Sequence, residues 1–244
     1  MALSRVRSSH LLSCLGKVGY NHDLMKQPKR ILVIDVGGTN VKILATGAKK
    51  RIKIPSGPQM TAKKMVNAVK KAAADWDYDA VSIAYPGPII DGKIFAEPHN
   101  LAKGWVGFNF TKAFNCPVIL LNDAATQALG SYKGGTMLFL GVGTGLGAAL
   151  VKDGAVIPLE IAHLPYQKGR SYEEYWGKAA YERLGQDKWE KHVKKIIKIF
   201  RNAFVASEVV LGGGNADLIG DLPKYVRLGS NANAFKGGFK LWEK

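Results

Sequence analysis

Short apolar runs that alternate with glycine-rich turns dominate the hydrophobic pattern of this chain. The first run, Ile31 to Ile34, is aliphatic and partly β-branched, and a second run, Val41 to Ala45, follows directly after a pair of glycines. A third run extends from Arg51 to Ile54. Apolar runs of this length predict strands, and glycines at the joint predict a tight turn. Residues 31–54 are therefore expected to form three short strands.

Apolar residues at spacings of three and four predict two amphipathic helices. The first extends from about Thr61 to Ala74, with Met65, Val66 and Val69 on its buried face. The second is QDKWEKHVKKIIKIFRNAF, residues 186–204. Its predicted faces are an apolar one (Trp189, Val193, Ile196, Ile197, Phe200 and Phe204) and a basic one (Lys188, Lys191, Lys195 and Lys198). A solvated face that favours solubility is the ordinary interpretation of such a lysine stripe.

Two further predicted strands end at corners or at polar residues. AVSIAYPG, residues 80–87, predicts a strand that ends at a Pro-Gly corner, and DGKIF after it predicts the turn and return of a hairpin. PVILLND predicts a buried strand that ends at Asn122 and Asp123, and the helix AATQALGSY follows at once. Position alone favours Asp123 as a cap of that helix, because Asp is common at such junctions.

The second half of the chain repeats the pattern of strand, glycine turn and strand. TMLFLGVGTGLGAALVKDG shows it from residue 136, and VVLGGGNADLI, residues 209–219, predicts a strand, a glycine turn and a helix. The two openings, 31–54 and 136–157, indicate an internal duplication of architecture. Three glycine turns directly after buried strands favour one phosphate-bearing ligand held between two lobes by backbone N–H groups.

Composition narrows the class of protein. Apolar residues make up 47% of the 244 residues, enough for a real core, and no apolar run approaches the roughly 18 residues of a membrane span. The formal charge of +16 favours polyanionic partners such as nucleic acid, an anionic membrane or a phosphate-rich small molecule. Nucleic acid ranks low because the chain has neither zinc-finger spacing nor an RNP-like aromatic strand. Two distant cysteines, Cys14 and Cys116, fit a reducing cytoplasm.

Residues 1–29 are interpreted as a separate leader. They contain two arginines, Arg5 and Arg7, several serines and no acidic residue before Asp23, a composition that resembles a transit peptide. Because MKQPKRILVIDVGG would itself be a natural start at Met25, a disordered extension or a mis-assigned start is the preferred prediction. The remainder is expected to divide into an N-terminal α/β lobe, 30–121, and a C-terminal α/β lobe, 122–244.

Four short motifs follow one another in order along the chain. They are Asp-x-Gly-Gly-Thr at 35–39, Asn-Asp at 122–123, Gly-x-Gly-Thr-Gly at 141–145 and Leu-Gly-Gly-Gly at 211–214. This ordered set resembles the ASKHA superfamily of sugar kinases, actins and heat-shock ATPases. Within it, PGPIIDGKI, HNLAKGW, LNDAATQALG and EIAHLPY resemble the ROK family, closest to its glucokinases of the polyphosphate-using type. GVGTGLG has the wrong glycine spacing for a Walker A motif or a Rossmann fingerprint.

The resemblance covers nearly everything but the leader, and it implies an α/β fold and a catalytic apparatus. The fold would be two-lobed, actin-like and ribonuclease H-like, with the active site in the interlobe cleft. Asp123 would act as the general base for the 6-hydroxyl of glucose, and Asp35 would orient Mg²⁺ through water. The residues implied to face the donor's phosphates are Gly37, Gly38, Thr39, Gly143, Thr144, Gly145, Gly212, Gly213 and Gly214.

The resemblance also implies a sugar-binding set. Its members are Asn100, Asn122, Glu160 and His163, with Glu173 as a further candidate. Carboxylates and amides suit a polyol because they make fixed hydrogen bonds to several hydroxyls. Many ROK members follow this His with a cysteine-rich zinc segment, whereas LPYQKGRSYEEYWG has no cysteine, so we predict no zinc.

The phosphate donor, polyphosphate or ATP, stays open at this stage. A long polyanionic donor suits the excess of basic residues, which includes the lysine stripe and Lys49, Lys50, Arg51, Lys53, Lys63 and Lys64. Two alternatives belong to other classes: a non-catalytic sugar or phosphate sensor of the ROK type, and an actin-like nucleotide-binding assembly protein. The intact Asp123 and the sugar-binding set favour the kinase. Glucose and the donor are the expected partners, without nucleic acid or membrane, and a homodimer is the family's habit.

Overall fold

A computed structural model describes residues 28–230 and 232–243. The leader predicted for residues 1–29 lies outside these residues, apart from its last two. The described chain forms two α/β lobes, each around its own five-stranded sheet. None of the helices in this part of the chain combines the length and the apolar character needed to cross a membrane.

The N-terminal lobe carries the first glycine corner. Its elements are β1 (Ile31–Val36), β2 (Asn40–Ala45), β3 (Ile52–Pro55), α1 (Ala62–Ala72), β4 (Ala80–Tyr85), β5 (Ile89–Ile90), β6 (Lys93–Ile94), α2 (Phe110–Phe114) and β7 (Val118–Asn122). Its sheet has the order β3-β2-β1-β4-β7, in which β2 is antiparallel to β1 while β4 and β7 continue in parallel. The carboxyl ends of β1, β4 and β7 therefore meet at one edge of the sheet.

The C-terminal lobe repeats this topology. Its elements are α3 (Asp123–Ser131), β8 (Thr136–Val142), β9 (Leu146–Lys152), β10 (Ala155–Leu159), β11 (Pro165–Gln167), β12 (Arg170–Ser171), α4 (Glu173–Trp176), α5 (Lys178–Leu184), α6 (Gln186–Ala203), β13 (Glu208–Gly212), β14 (Val226–Leu228) and α7 (Asn233–Lys240). The sheet order is β10-β9-β8-β13-β14, with β9 antiparallel to β8 and the last two strands parallel to it. The predicted internal duplication is confirmed.

Strand β1 is covered on both faces, and all six of its residues are buried. Leu32 and Ile34 pack on the side of helix α1. Val33 points the other way and packs with Phe235 and Trp242 from the end of the chain. Because side chains alternate along a strand and both faces are covered, the sequence shows a continuous apolar run rather than an alternating one.

The predicted strands, the hairpin after residue 87 and both amphipathic helices are confirmed. Helix α1 begins after Thr61, whose Oγ1 accepts the backbone N–H of Lys64 at 3.2 Å and so caps the helix. The predicted apolar face of α6 is buried, except that Phe204 lies just beyond the helix end and is only half-buried.

The helix predicted after Gly214 is wrong in extent. Ala216–Leu218 form a single 3₁₀ turn instead. Gly220 and Pro223 follow within a few residues, and both residue types disfavour continuation of a helix. The chain then enters β14, which had not been predicted, and neither had α4, α5 or α7.

Helix α7 returns the end of the chain to the first lobe. It packs along α3 so closely that a Cβ on Gly237 would lie 1.8 Å from the carbonyl oxygen of Thr126. On the other side, Ser82 Oγ of β4 donates to the Gly238 carbonyl at 2.6 Å and accepts from Trp242 Nε1 at 2.8 Å. These contacts join the two lobes behind the cleft, and a boundary between residues 121 and 122 stays a prediction.

Candidate active site

A cavity of about 680 Å³ lies where the two lobes meet. The carboxyl ends of β1 and β7, the β8–β9 turn and the start of α3 all reach it. The sequence-predicted residues that line it are Asp35, Gly37, Gly38, Asn100, Asn122, Asp123, Gly143, Thr144, Gly145, Glu160, His163, Glu173 and Gly213. One cavity therefore brings together the glycine corners of both lobes and the predicted catalytic and sugar-binding residues.

Three of the predicted phosphate-facing residues do not line this cavity: Thr39, Gly212 and Gly214. Thr39 is exposed on the β1–β2 turn, where its carbonyl accepts the N–H of Ser56 at 2.9 Å. Gly212 ends β13, and a Cβ there would lie 2.4 Å from the ring of Phe139, which is a packing reason for glycine. Phosphate contacts by these three residues stay predictions.

Asn122, rather than Asp123, caps helix α3. Its Oδ1 accepts the N–H of Ala125 at 3.1 Å, and its Nδ2 donates to the Gly87 carbonyl at 3.1 Å. Asp123 is the first helical residue, and its carboxylate accepts only the adjacent N–H of Ala124, at 2.7 Å. The capping alternative for Asp123 is therefore wrong, and its carboxylate stands at the cavity wall. A sugar contact by Asn122, whose amide is engaged at both ends, stays a prediction.

The Asp123 carboxyl has a strongly perturbed acidity. Burial, with a smaller contribution from the nearby carboxylates of Asp35 and Glu160, raises its pKa from 3.8 to about 7, and the N–H of Ala124 opposes the shift. A carboxyl group with a pKa near neutrality is partly ionised near pH 7, so it can accept a proton and release it again. Such a shift in a cleft is typical of a general acid or base.

Lys42 lies opposite Asp35 across the β1–β2 hairpin, and its Nζ is 2.9 Å from Asp35 Oδ2. Asp35 is nearly buried, so the ammonium group stabilises its charge. Residues 28–230 and 232–243 contain no group of three His, Cys, Asp or Glu side chains that could hold a metal. Mg²⁺ usually takes one or two carboxylates and completes its shell with water and substrate phosphate, so Asp35 at the cavity fits that ion. The absence of zinc stays a prediction.

The β8–β9 corner is held from two directions. The Gly143 carbonyl accepts the backbone N–H of Lys178, at the start of α5, at 3.0 Å. It also lies 3.4 Å from Nδ2 of Asn215, which follows β13. Two separate segments thus fix the position of this corner at the cavity.

Gly145 is glycine because Glu173 needs the space. A Cβ on Gly145 would lie 2.1 Å from Glu173 Oε1, and that oxygen accepts the N–H of Leu146 at 3.2 Å. Glu173 is the first residue of α4, so the short helix carries its carboxylate across to the glycine corner. A side chain at 145 would displace this carboxylate from the cavity wall.

Three of the predicted sugar-binding side chains, Glu160, His163 and Glu173, lie close to one another at the cavity wall. His163 Nδ1 is 3.9 Å from Glu173 Oε2, and Glu160 lines the same wall. Partial burial raises the pKa of Glu160, the neighbouring His163 lowers it, and the carboxylate of Glu173 raises it again. Asn100 approaches from the other lobe and packs against Gly38. The cavity therefore presents several hydrogen-bonding groups close to Asp123.

Lys42 and Gln127 are among the cavity residues that the sequence analysis missed. Lys42 could have been found from the hairpin register, because it follows Asp35 by seven residues across a tight turn. Gln127 lies one helical turn after Asp123 and so shares its face of α3. Its Oε1 is buried at the cavity without a hydrogen-bond partner among the described residues.

The sequence model of the ROK family matches residues 31–158, more than half of the chain. The chain belongs to the ROK family. Among ROK-type relatives, the polyphosphate glucokinase of Mycobacterium tuberculosis (strain CDC 1551 / Oshkosh) is 29% identical over 214 residues, which cover 74% of this chain and 76% of that protein.

Solved structures of ROK proteins share the fold. The inorganic polyphosphate/ATP-glucomannokinase of Arthrobacter sp. strain KM superimposes with a TM-score of 0.74 at 23% identity, covering 89% of this chain and 98% of that one. A ROK family transcriptional regulator, a homologue of the E. coli MLC protein, has a TM-score of 0.68 at 16% identity, covering 87% and 77%. The two-lobed ASKHA fold is therefore confirmed, and it is common to kinases and regulators of the family.

Proposed function

We propose that this ROK protein is a hexose kinase that phosphorylates the 6-hydroxyl of glucose, with polyphosphate, ATP or both as donor and with Mg²⁺. The observation that carries the proposal is the Asp123 carboxylate, free of the capping role and with a pKa of about 7, in the same cavity as both glycine corners. The names of the mycobacterial and Arthrobacter relatives support glucose and polyphosphate as substrates.

Donor binding falls to the glycine corners and Lys42. Gly37 and Gly38 lie across the cavity from Gly143 to Gly145, and glycine lets a phosphate approach the backbone closely. The N–H groups of Gly37 and Gly143 already donate to the carbonyls of Asn40 and Gly145, so Gly38, Thr144 and Gly145 would supply the donors. Bound Mg²⁺ would neutralise charge on the donor's phosphates, and Asp35 would hold it through water. Lys42 adds a fixed positive charge beside Asp35.

Sugar binding falls to Asn100, Glu160, His163 and Glu173. They provide acceptors and donors on both sides of the space in front of Asp123. A site built from such groups rejects an analogue that lacks the matching hydroxyl, because the buried polar groups would be left unpaired. Glucose bound there would bring its 6-hydroxyl to the Asp123 carboxylate, which accepts the hydroxyl proton as the oxygen attacks the terminal phosphorus. The bond between that phosphorus and the bridging oxygen of the donor breaks, and the donor leaves shortened by one phosphate.

A coupled glucose-6-phosphate assay tests the proposal. Wild type, Asp123→Asn and the control Asp153→Asn would each be assayed with ATP and with polyphosphate. Asp153 is exposed in the β9–β10 turn, so its change tests for effects of the substitution away from the cavity. Loss of a general base should lower kcat by about 10²- to 10⁴-fold in Asp123→Asn alone. Residual turnover within a few-fold of wild type would remove Asp123 from the mechanism.

The same experiment separates the kinase from a non-catalytic sensor. Glucose binding without turnover of either donor would favour the sensor, as the fold shared with a regulator allows. Nucleotide hydrolysis and polymerisation without a sugar would favour an assembly protein instead. A cytoplasmic location, the homodimer and the absence of nucleic acid or membrane partners remain parts of the proposal that need their own measurements.

A further inference from the structure

A second cavity, of about 690 Å³, lies on the outer side of the C-terminal lobe. It is bounded by the β11–β12 hairpin, α4, α5 and the first turns of α6. Its lining residues are Gln167, Lys168, Arg170, Tyr175, Arg183, Leu184, Lys188, Lys191 and His192. We call this the cationic pocket. Five of its lining side chains are lysines or arginines and none is acidic.

The charges of the cationic pocket are poorly compensated by the described residues. Lys168, Lys188 and Lys191 have no carboxylate within 4.0 Å in the part of the chain that the structure describes. Glu174 is an acidic residue near the two arginines of the pocket. Its pKa is lowered first by the N–H of Ser171 and also by the charges of Arg170 and Arg183. Because none of the lining residues is acidic, the five cations leave a positive field in the pocket.

The structure divides the lysine stripe of α6. Lys188 and Lys191 line the pocket, whereas Lys195 Nζ lies 5.7 Å from the ring of Tyr166 and Lys198 lies outside. On a face that is only solvated, all four lysines would be surrounded by water alone, whereas here two of them line a cavity. The general interpretation of the stripe as a solubility device therefore applies only to its second half.

The imidazole ring of His192 lies in the same positive electrostatic field. Its Nδ1 is 3.3 Å from the Tyr166 hydroxyl, and it lies half-buried at the pocket. Burial lowers its pKa, and so do the positive charges of Lys195, Arg183 and Lys168. Cations from the hairpin, α5 and α6 thus converge on one point.

Lys168 occupies a backbone position that lysine does not favour. It lies in the β11–β12 turn with φ of +51°, a left-handed conformation that Asn, Asp or Gly adopt more easily. The conformation of the turn therefore does not explain why residue 168 is a lysine, whereas its position at the pocket gives its charge a role there.

Helix α5 connects the cationic pocket with the active-site cavity. At its first residue, the N–H of Lys178 binds the Gly143 carbonyl, and near its end Arg183 lines the pocket. Seven helical residues span about 10 Å. A donor whose reacting end lies at the glycine corner must therefore consist of several linked phosphates to reach the pocket.

We propose that the cationic pocket binds a distal segment of a linear inorganic polyphosphate while the reacting end of the same chain occupies the active-site cavity. A pocket of uncompensated cations suits an extended, uniformly charged anion, whose attraction to it falls with ionic strength. The proposal rests on polyphosphate as a donor, which is part of the proposed function.

The test compares Lys188→Gln/Lys191→Gln with the control Lys71→Gln/Lys198→Gln. All four lysines are exposed, so both variants remove two surface charges and should keep the fold. KM would be measured for long-chain polyphosphate, tripolyphosphate and ATP. Binding of long-chain polyphosphate without glucose would be measured by titration calorimetry, so that it does not depend on turnover.

The pocket variant should weaken binding of long-chain polyphosphate about 3- to 30-fold, as expected for two exposed ionic contacts. Its KM for tripolyphosphate and ATP should not change, and the control should resemble wild type. Equal weakening in both variants would show a general charge effect and overturn the proposal. So would equal weakening for tripolyphosphate, or for a single-stranded oligonucleotide of matched charge. If no donor phosphorylates glucose, the proposed function fails, while the binding measurement still decides the pocket.

Discussion

Replacing Asp123 by asparagine should stabilise the folded protein at high pH while it removes phosphoryl transfer. Burial and the carboxylates of Asp35 and Glu160 raise the pKa of Asp123 to about 7, from 3.8. Between these two values the folded chain binds more protons than the unfolded chain. The contribution of Asp123 to stability is therefore fully present below about pH 4 and is lost as the pH rises through about 7. Asparagine has nearly the same shape and cannot ionise.

The size of the effect follows from the pKa difference. A pKa that moves from 3.8 to about 7 corresponds to about 4 kcal/mol, at about 1.4 kcal/mol per pH unit. Of this, about 2–3 kcal/mol develops between pH 5 and pH 8. Asp123 is partly exposed to the open cavity, so water screens the charge, and we expect about 1–2 kcal/mol. For a chain of this size that is about 2–8 °C in melting temperature.

Thermal melts at pH 5 and pH 8 measure this directly. The advantage of Asp123→Asn over wild type in melting temperature should grow by about 2–8 °C from pH 5 to pH 8. Asp153→Asn, changed at an exposed turn, should show a constant difference from wild type. An advantage for Asp123→Asn that is the same at both pH values would refute the assigned acidity. Such a result would also remove the electrostatic reason for choosing Asp123 as the base.

Three further substitutions test the geometry of the site and its support. Gly145→Ala adds a Cβ that would lie 2.1 Å from the Glu173 carboxylate and should displace it. The KM for glucose should rise about tenfold with little change in melting temperature. An unchanged KM would exclude Glu173 from the sugar site. Asn122→Ala removes the cap of α3 and should lower the free energy of unfolding by about 1 kcal/mol in urea titrations. A neutral result there would contradict the cap. Gly237→Ala places a Cβ 1.8 Å from the Thr126 carbonyl and should cost about 1–3 kcal/mol in the same titration, whereas full stability would mean that the α3–α7 contact is not tight.

Much of the fold was predictable because its signals are local. Short apolar runs predict strands such as β1 and β8, and the glycines after these runs predict turns independently of distant residues. The repeated pattern predicted a duplication, and the two sheets share one strand order. Asp123 was predictable as a residue where a strand meets a helix. Each of these conclusions needs only the neighbouring residues.

The functional assignment of several residues was decided by tertiary contacts. Position alone favoured Asp123 as the cap, whereas Asn122 accepts the N–H of Ala125 and is held in place by its hydrogen bond to the distant Gly87 carbonyl. Asp123 is left with its carboxyl at the cavity, where burial and neighbouring charges raise its pKa. A pKa depends on burial and on charges that come from other strands, so no local pattern contains it.

The amino-acid sequence by itself determined most of the strands, the glycine corners and the identity of the chemical groups, because strand and turn formation depend on side chains a few residues apart. The tertiary structure alone decided that α7 crosses back to the first lobe and that α6 divides its lysines between solvent and the cationic pocket. Those outcomes depend on which distant surfaces can bury apolar area together and which charges are then left facing one another.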